Sequence, residues 1–264
     1  MQPSGILTFL TDFGTADAYA AAMKGVALSH APQLQLVDIT HEVPPQDLAR
    51  GAYVLSEAAP WFPPGTVHVA VVDPGVGTAR RALIAVLDEQ VIVAPDNGLI
   101  SRLYHGAERR EVYELSRSDL GLLHRSMTFH GRDLFAPVGA LLAAGKLRPE
   151  ECGPPMEPAL AAEAGPRRVG AVLWGEVITA DRFGNLITNI EAEHLGSAPM
   201  VRIGGRPVDA FVRTYGEAHA GALVALVGSG GLVEVAVVEG SAAEKLVLGV
   251  GAAVELRDQD EELG

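Results

Sequence analysis

The stretch VVDPGVGTARR, residues 71–81, sets a carboxylate, Asp73, at the end of an apolar run and a guanidinium, Arg80, seven residues later. Pro74 fixes the backbone while Gly75 and Gly77 permit tight turning, so the loop can fold Arg80 back onto Asp73. Such a pair is either a structural salt bridge or a device that holds a substrate or orients one water molecule. Arg81 is expected to face solvent. A second stretch, TFHGRDLFAP, puts His130 just ahead of a helix that should begin near Asp133. A helix N-terminus disfavours an imidazolium, so His130 is expected to be neutral and able to accept a proton. It is either a structural histidine or, if it lies beside the Asp73 loop, a base or water-positioning group.

Other stretches carry weaker signals. TDFGTADAY places Asp12 at the carboxyl end of a strand and Asp17 at or near the N-cap of the next helix. Asp17 reads first as a cap. Asp12 is either a turn residue bonding its own backbone or the acidic group that ribose hydroxyls select in nucleotide-binding folds. In APDNGLIS, Asn97 reads first as a turn residue and second as a site candidate. DITHEVPPQD supplies Asp38 and His41, but no histidine spacing supports a metal site, and none is expected. Further on, DRFGNLITNI opens with Asp181 and holds Phe183 and Asn185 in a glycine-containing turn. That is hairpin chemistry, or an aromatic face beside an amide of the kind a purine needs. Ser229, and the backbone around Ser241 and Ala243, lie in glycine turns that could meet a carboxylate or a purine edge.

These residues need a scaffold. Up to about residue 150, apolar runs alternate with amphipathic segments in the order βαβαβ, followed by a strand pair (ALIAVLD, VIVAPDN) and a helix containing Pro137. The pattern predicts an α/β domain over 1–150 whose mostly parallel sheet is flanked by helices and gathers ligands at its strand carboxyl ends. Residues 151–168, rich in proline, read as a linker. Short β-like runs separated by glycine fill 169–264, with one helical segment, GSAAEKL, and predict a smaller all-β domain, sandwich or barrel-like.

Composition narrows the function. A formal charge of -13 opposes attraction to a phosphate backbone, so nucleic acid is not an expected partner. The acidic tail RDQDEELG reads as a solvated end. Cys152 is the only cysteine, which excludes an internal disulfide, and its surroundings suggest no zinc site. No apolar stretch reaches the roughly 18 residues of a membrane helix, and residues 1–5 lack the features of a signal peptide. A cytoplasmic protein with no membrane partner is expected.

Taken in order over residues 11–243, TDFGTADAY, DITHEVPPQD, VVDPGVGTARR, APDNG, TFHGRD, DRFGNLITNI and GSAA resemble one family. It is the S-adenosylmethionine (SAM) hydroxide adenosyltransferases, or SAM hydrolases, related to the SAM-dependent fluorinase and chlorinase. The resemblance implies attack of water or hydroxide on C5′ of SAM, giving adenosine and L-methionine, with SAM as substrate and no cofactor. Asp73, Arg80 and His130 match the set held to orient or deprotonate that water. The halogenating relatives lack this set, so hydrolysis is expected over halide transfer. By the same resemblance Asp12 would bind the ribose hydroxyls, Asp17 the methionine amino group, and Phe183 and Asn185 the adenine. Asn97, Asp181, Ser229, Ser241 and Ala243 complete the expected binding set. Two departures stand out: Gly230 follows Ser229 where the halogenating enzymes have an arginine, and VPPQD stands where they have a tryptophan. The resemblance also implies a homotrimer with sites between the N-terminal domain of one subunit and the C-terminal domain of the next. A non-catalytic adenosine- or SAM-binding protein is the alternative, and a halogenase the third reading.

Overall fold

The structure is a computed structural model that describes residues 1–117, 119–120, 126–162 and 165–258. Most of the acidic tail and two residues of the expected linker lie outside the described residues. The chain forms two compact units, Met1–Ala162 and Glu163–Gly264.

In the first unit β1 (Ile6–Thr11), α1 (Tyr19–His30), β2 (Gln35–Thr40), α2 (Leu48–Ala58) and β3 (Val67–Val71) give the expected βαβαβ order. The strand pair β4 (Ala82–Leu87) and β5 (Gln90–Pro95) follows, then α3 (Ser101–Gly106), β6 (Arg110–Glu114) and α4 (Ala136–Ala143). The sheet order is β2-β1-β3-β5-β4-β6, and β4 alone runs against the others. Because side chains alternate across a strand, β3 supplies both faces. Val69 and Val71 join a core with Met23 of α1 and Val138 of α4, whereas Ala70 and Val72 join another with Leu55 of α2 and Leu99. Burying both faces explains why these strands read as continuous apolar runs.

The helical stretch opens near Asp133 as expected, with His130 as its N-cap: a π-helical turn, Gly131–Phe135, runs directly into α4, and Pro137 sits in the first turn of α4. Proline lacks the N–H donor of a regular helical ladder, which is compatible with a first-turn position and not with a later one.

The proline-rich segment after α4 is tied to the first unit. Pro154 and Met156 bond across to Glu114 and Val112 of β6, and Ala161 donates to Ser101 Oγ. Its prolines leave carbonyl acceptors for the β6 edge while contributing few donors of their own, so no regular strand forms. Cys152 is fully buried there, and burial pushes its thiol up to about 12, which leaves it an inert core atom.

The second unit is a nine-stranded sheet, with α5 (Ala242–Leu246) in the expected GSAAEKL stretch. Its first strands are β7 (Arg167–Val169), β8 (Val172–Ala180), β9 (Leu186–Glu191) and β10 (Pro199–Ile203). Two short strands, β11 (Arg206–Pro207) and β12 (Ala210–Phe211), precede β13 (Leu223–Val227), β14 (Leu232–Val237) and β15 (Ala253–Asp258). All pairs are antiparallel except β12 with β13. Strands β13 and β14 bury both faces, with Val233 and Val235 in one apolar cluster and Val224 and Ala236 in another. Among the described residues no helix is long and apolar enough to cross a membrane.

Candidate active site

The loop after β3 does fold Arg80 back onto Asp73. Arg80 Nε lies 2.9 and 3.0 Å from the two carboxylate oxygens, and Nη2 lies 2.5 Å from Oδ2. Both side chains are nearly buried, at 11% and 5% exposure. Gly77 makes the turn possible: its φ is +78°, and a Cβ there would come within 2.6 Å of the Met127 carbonyl oxygen. The guanidinium also lies over the Phe135 ring, 5.3 Å from its centre, so the π-helical turn and the loop share one cation.

His130 joins this pair. Arg80 Nη2 is 3.0 Å from His130 Nδ1. A guanidinium has donors only, so Nδ1 must accept and the ring carries its proton on Nε2. This differs from the expected proton acceptor. In this arrangement Nε2 is a donor, a polarity suited to orienting a water molecule through its oxygen.

The loops on either side of His130 are clamped by aromatic rings. Phe13, next to Asp12, packs edge-on against Phe129 at 5.8 Å, and Tyr19 packs on Phe129 at 5.1 Å. The loops carrying Asp12 and His130 therefore meet. Asp12 Oδ2 accepts from the backbone N–H of Gln46, a residue held at φ +66°. Asp17 is not the expected cap: α1 starts at Tyr19, and Ala18 occupies the capping position without a side-chain bond. Asp17 is exposed. His41 is buried between Thr11 and Asp38, and Asp38 also binds Lys24 at 2.5 Å. That chain braces the Asp12 loop. Among the described residues no cluster of His, Cys, Asp or Glu is placed to hold a metal ion.

Asn97 supports the Asp73 loop from behind. Its amide donates to the Val72 carbonyl at 2.9 Å, while its oxygen accepts from Leu99 N–H in the turn at Gly98. Arg81 does not simply face solvent. It binds Asp96, whose side chain is 3% exposed, at 2.7 Å, and also reaches the Glu157 carbonyl. Asp96 accepts in turn from Ala159 N–H.

In the second unit a cleft of about 920 Å³ is lined by Asp181, Phe183, Asn185, Tyr215, Ser229 and Glu234, among others. Asp181 organises the turn between β8 and β9: Oδ1 accepts from the N–H groups of Phe183 and Asn185, and Oδ2 from the Asn185 amide at 2.9 Å. Phe183 is thereby held out with its ring 75% exposed. Ser241 and Ala243 act behind the turn. Ser241 caps α5, Ala243 N–H donates to the Gly184 carbonyl, and Gly184, at φ +81°, lies against the Ser241 side chain.

Tyr215 and Glu234 are absent from the sequence-derived candidates. The Tyr215 hydroxyl donates to Glu234 Oε1 and accepts from the Asn185 amide at 3.3 Å. Burial pushes the Glu234 carboxyl up, the nearby Asp181 charge adds to this, and the Tyr215 bond opposes it. A lone charge in the otherwise apolar run LVEVAVV was the available signal for Glu234. Nothing local distinguishes Tyr215.

Comparison with known proteins agrees with these features. Residues 7–153 match the family profile of the SAM hydroxide adenosyltransferase N-terminal domain, and residues 175–255 that of its C-terminal domain. The chain is 46% identical over 261 residues to an (R)-S-adenosyl-L-methionine hydrolase of Thermus thermophilus, covering 94% of this chain and 98% of the relative. A fluorinase of Actinoplanes sp. is more distant, 30% identical over 73% of this chain and 74% of its own. A crystal structure of an uncharacterized conserved protein from Thermotoga maritima superposes with a TM-score of 0.89 at 34% identity, covering 95% of this chain and 99% of the other. The chain belongs to the SAM hydroxide adenosyltransferase family.

Proposed function

We propose that this member of the SAM hydroxide adenosyltransferase family hydrolyses SAM to adenosine and L-methionine by attack of water on C5′. One observation carries the mechanism: Asp73, Arg80 and His130, distant in sequence, share hydrogen bonds around one guanidinium. The 46% identity to a named SAM hydrolase supports the reaction.

The chemistry asks little beyond placement. A sulfonium leaves as a neutral thioether, so neither a metal nor a general acid is required, and SAM is substrate with no resident cofactor. The protein must hold one water in line with C5′ and keep others out. His130 Nε2–H and the Asp73 carboxylate give that water a donor and an acceptor. As the new C–O bond forms and the C–S bond breaks, the oxygen becomes an oxonium, far more acidic than a carboxylic acid. Asp73 can therefore take its proton although Arg80 is paired with it, and passes it to solvent. Arg80 fixes both partners and offsets the carboxylate charge.

Asp12 is assigned to the ribose hydroxyls and Asp17 to the methionine amino group. Phe183 stacks on the adenine and Asn185 meets its edge, with Asp181, Ser241 and Ala243 shaping the turn that presents them. Ser229 contacts the methionine carboxylate; Gly230 supplies no second charge. Asn97 acts through the Asp73 loop. The family resemblance supports a homotrimer, which sedimentation would test.

Incubating the purified protein with SAM and separating the products by chromatography tests the reaction, with adenosine and methionine expected in equal amounts. Binding of SAM without turnover would favour a non-catalytic binding protein, and a halide-dependent 5′-halo-adenosine a halogenase.

A further inference from the structure

We infer that Glu234 and Tyr215 set the hydrogen-bonding polarity of Asn185, and thereby make the second-unit cleft select a 6-amino purine over a 6-oxo purine. The inference rests on the reading of this cleft as a purine site.

It follows from counting donors and acceptors. The Asn185 amide nitrogen has two N–H groups. Asp181 Oδ2 is an acceptor and takes one of them, at 2.9 Å. The other points to the Tyr215 oxygen, at 3.3 Å. A phenol has a single proton, and the Tyr215 proton is committed to Glu234 Oε1, so toward Asn185 the hydroxyl can only accept. Both N–H groups are thus consumed inside the protein. What Asn185 offers a ligand is its Oδ1, which has no hydrogen-bond partner among the described residues.

An acceptor facing the purine edge rewards an exocyclic amino group and penalises a carbonyl, which would set two acceptors against each other. Glu234 is the anchor. It sits in β14 at 8% exposure, and the absence of a side chain at Gly228 leaves room for it, since a Cβ there would lie 2.6 Å from Glu234 Oε2. Glu234 and Tyr215 are therefore positioning residues that act through Asn185. Remove the phenol oxygen, and one Asn185 N–H becomes available to a ligand carbonyl.

The test is calorimetric titration of the full chain with adenosine and with inosine, which differ at the 6-position. Wild type should bind adenosine at least about tenfold more tightly, as expected when a buried polar contact is lost or opposed. Tyr215→Phe, which keeps the ring, should lower that ratio at least about threefold, and Glu234→Ala should do the same. Glu234→Gln, whose carbonyl can still accept from the phenol, should restore most of it. A Tyr215→Phe ratio equal to wild type overturns the inference, as does a parallel loss of both affinities. Equal wild-type affinities also overturn it but leave SAM hydrolysis standing. Failure of wild type to bind either nucleoside, with no cleavage of SAM, removes the proposed function and this inference with it.

Discussion

The two groups of candidate residues are built on opposite principles. In the first unit, Asp73 and Arg80 are nearly buried, oppositely charged and fully engaged with each other, and His130 is locked to the same guanidinium. In the second, the working surface is a 75% exposed phenyl ring and a neutral amide with an open oxygen. A charged, pre-formed cluster costs no reorganisation when charge shifts, which suits a bond-making step. An exposed ring with a fixed amide gains its energy only when a flat ligand arrives, which suits recognition. Perturbing the first region should therefore alter turnover, and perturbing the second affinity.

The largest effect is expected at Asp73. Asp73→Asn should lower kcat by about 100- to 10,000-fold, the range typical of a lost acid–base group, with little change in KM. Steady-state formation of adenosine measures both. A rise in KM at constant kcat would erase the contrast between the regions. Arg80→Ala should also be catalytically impaired, but it strands a buried carboxylate at a cost of about 3–5 kcal/mol, so its melting curve must accompany its kinetics.

Acidification separates the units by sign. His68, wholly buried in β3 between Thr8 and Gln90, is pushed down to about 4 by desolvation, with the Gln90 bond opposing. Its unfolded counterpart binds a proton near 6.5, so between pH 6.5 and 4 the unfolded chain takes up more protons. Stability should fall by about 3 kcal/mol on lowering the pH through that window. Glu234 works the other way: its folded carboxyl prefers its proton, so its contribution is greatest below pH 4.5 and is lost as pH rises. Denaturant melts of wild type and His68→Gln from pH 4 to 7 test this. A slope unchanged by the substitution would mean that the buried ring is not the acid-sensitive element.

In the second unit, Phe183→Ala should weaken adenosine binding by about 1–3 kcal/mol, the worth of a stacked base, while leaving the melting temperature unchanged. A drop in stability without loss of affinity would make the ring a packing residue. The smallest effect is expected from Asp17→Asn, a few-fold rise in KM for SAM with adenosine affinity untouched, as befits one exposed charge. An equal loss of adenosine affinity would move Asp17 away from the methionine end.

The fold was largely readable because its strands are apolar runs between clear turn signals. Helix α3 and strand β6 are not signalled: α3 is six residues long, and β6, REVYE, is a polar edge strand whose partners are β4 and the proline-rich segment. The Asp73–Arg80 pairing was legible because a seven-residue loop is local. The meeting with His130, fifty residues further on, depends on how α4 and the preceding turn lie against β3, which no local pattern encodes. Arg81 illustrates a signal left unused. Ala82 pairs with Pro95 across the β4–β5 hairpin, so Arg81 and Asp96 must be neighbours one position beyond. The misplaced Asp17 cap shows a limit of propensity: the aromatic packing of Tyr19 on Phe129 accompanies a helix start two residues past the best capping residue.

The most direct test of the central claim is a turnover of SAM in water enriched in oxygen-18, with the products examined by mass spectrometry. One heavy oxygen in adenosine, none in methionine, and loss of that adenosine in Asp73→Asn are the predicted result. Unlabelled adenosine, or label carried by methionine, would contradict attack of an Asp73-held water on C5′.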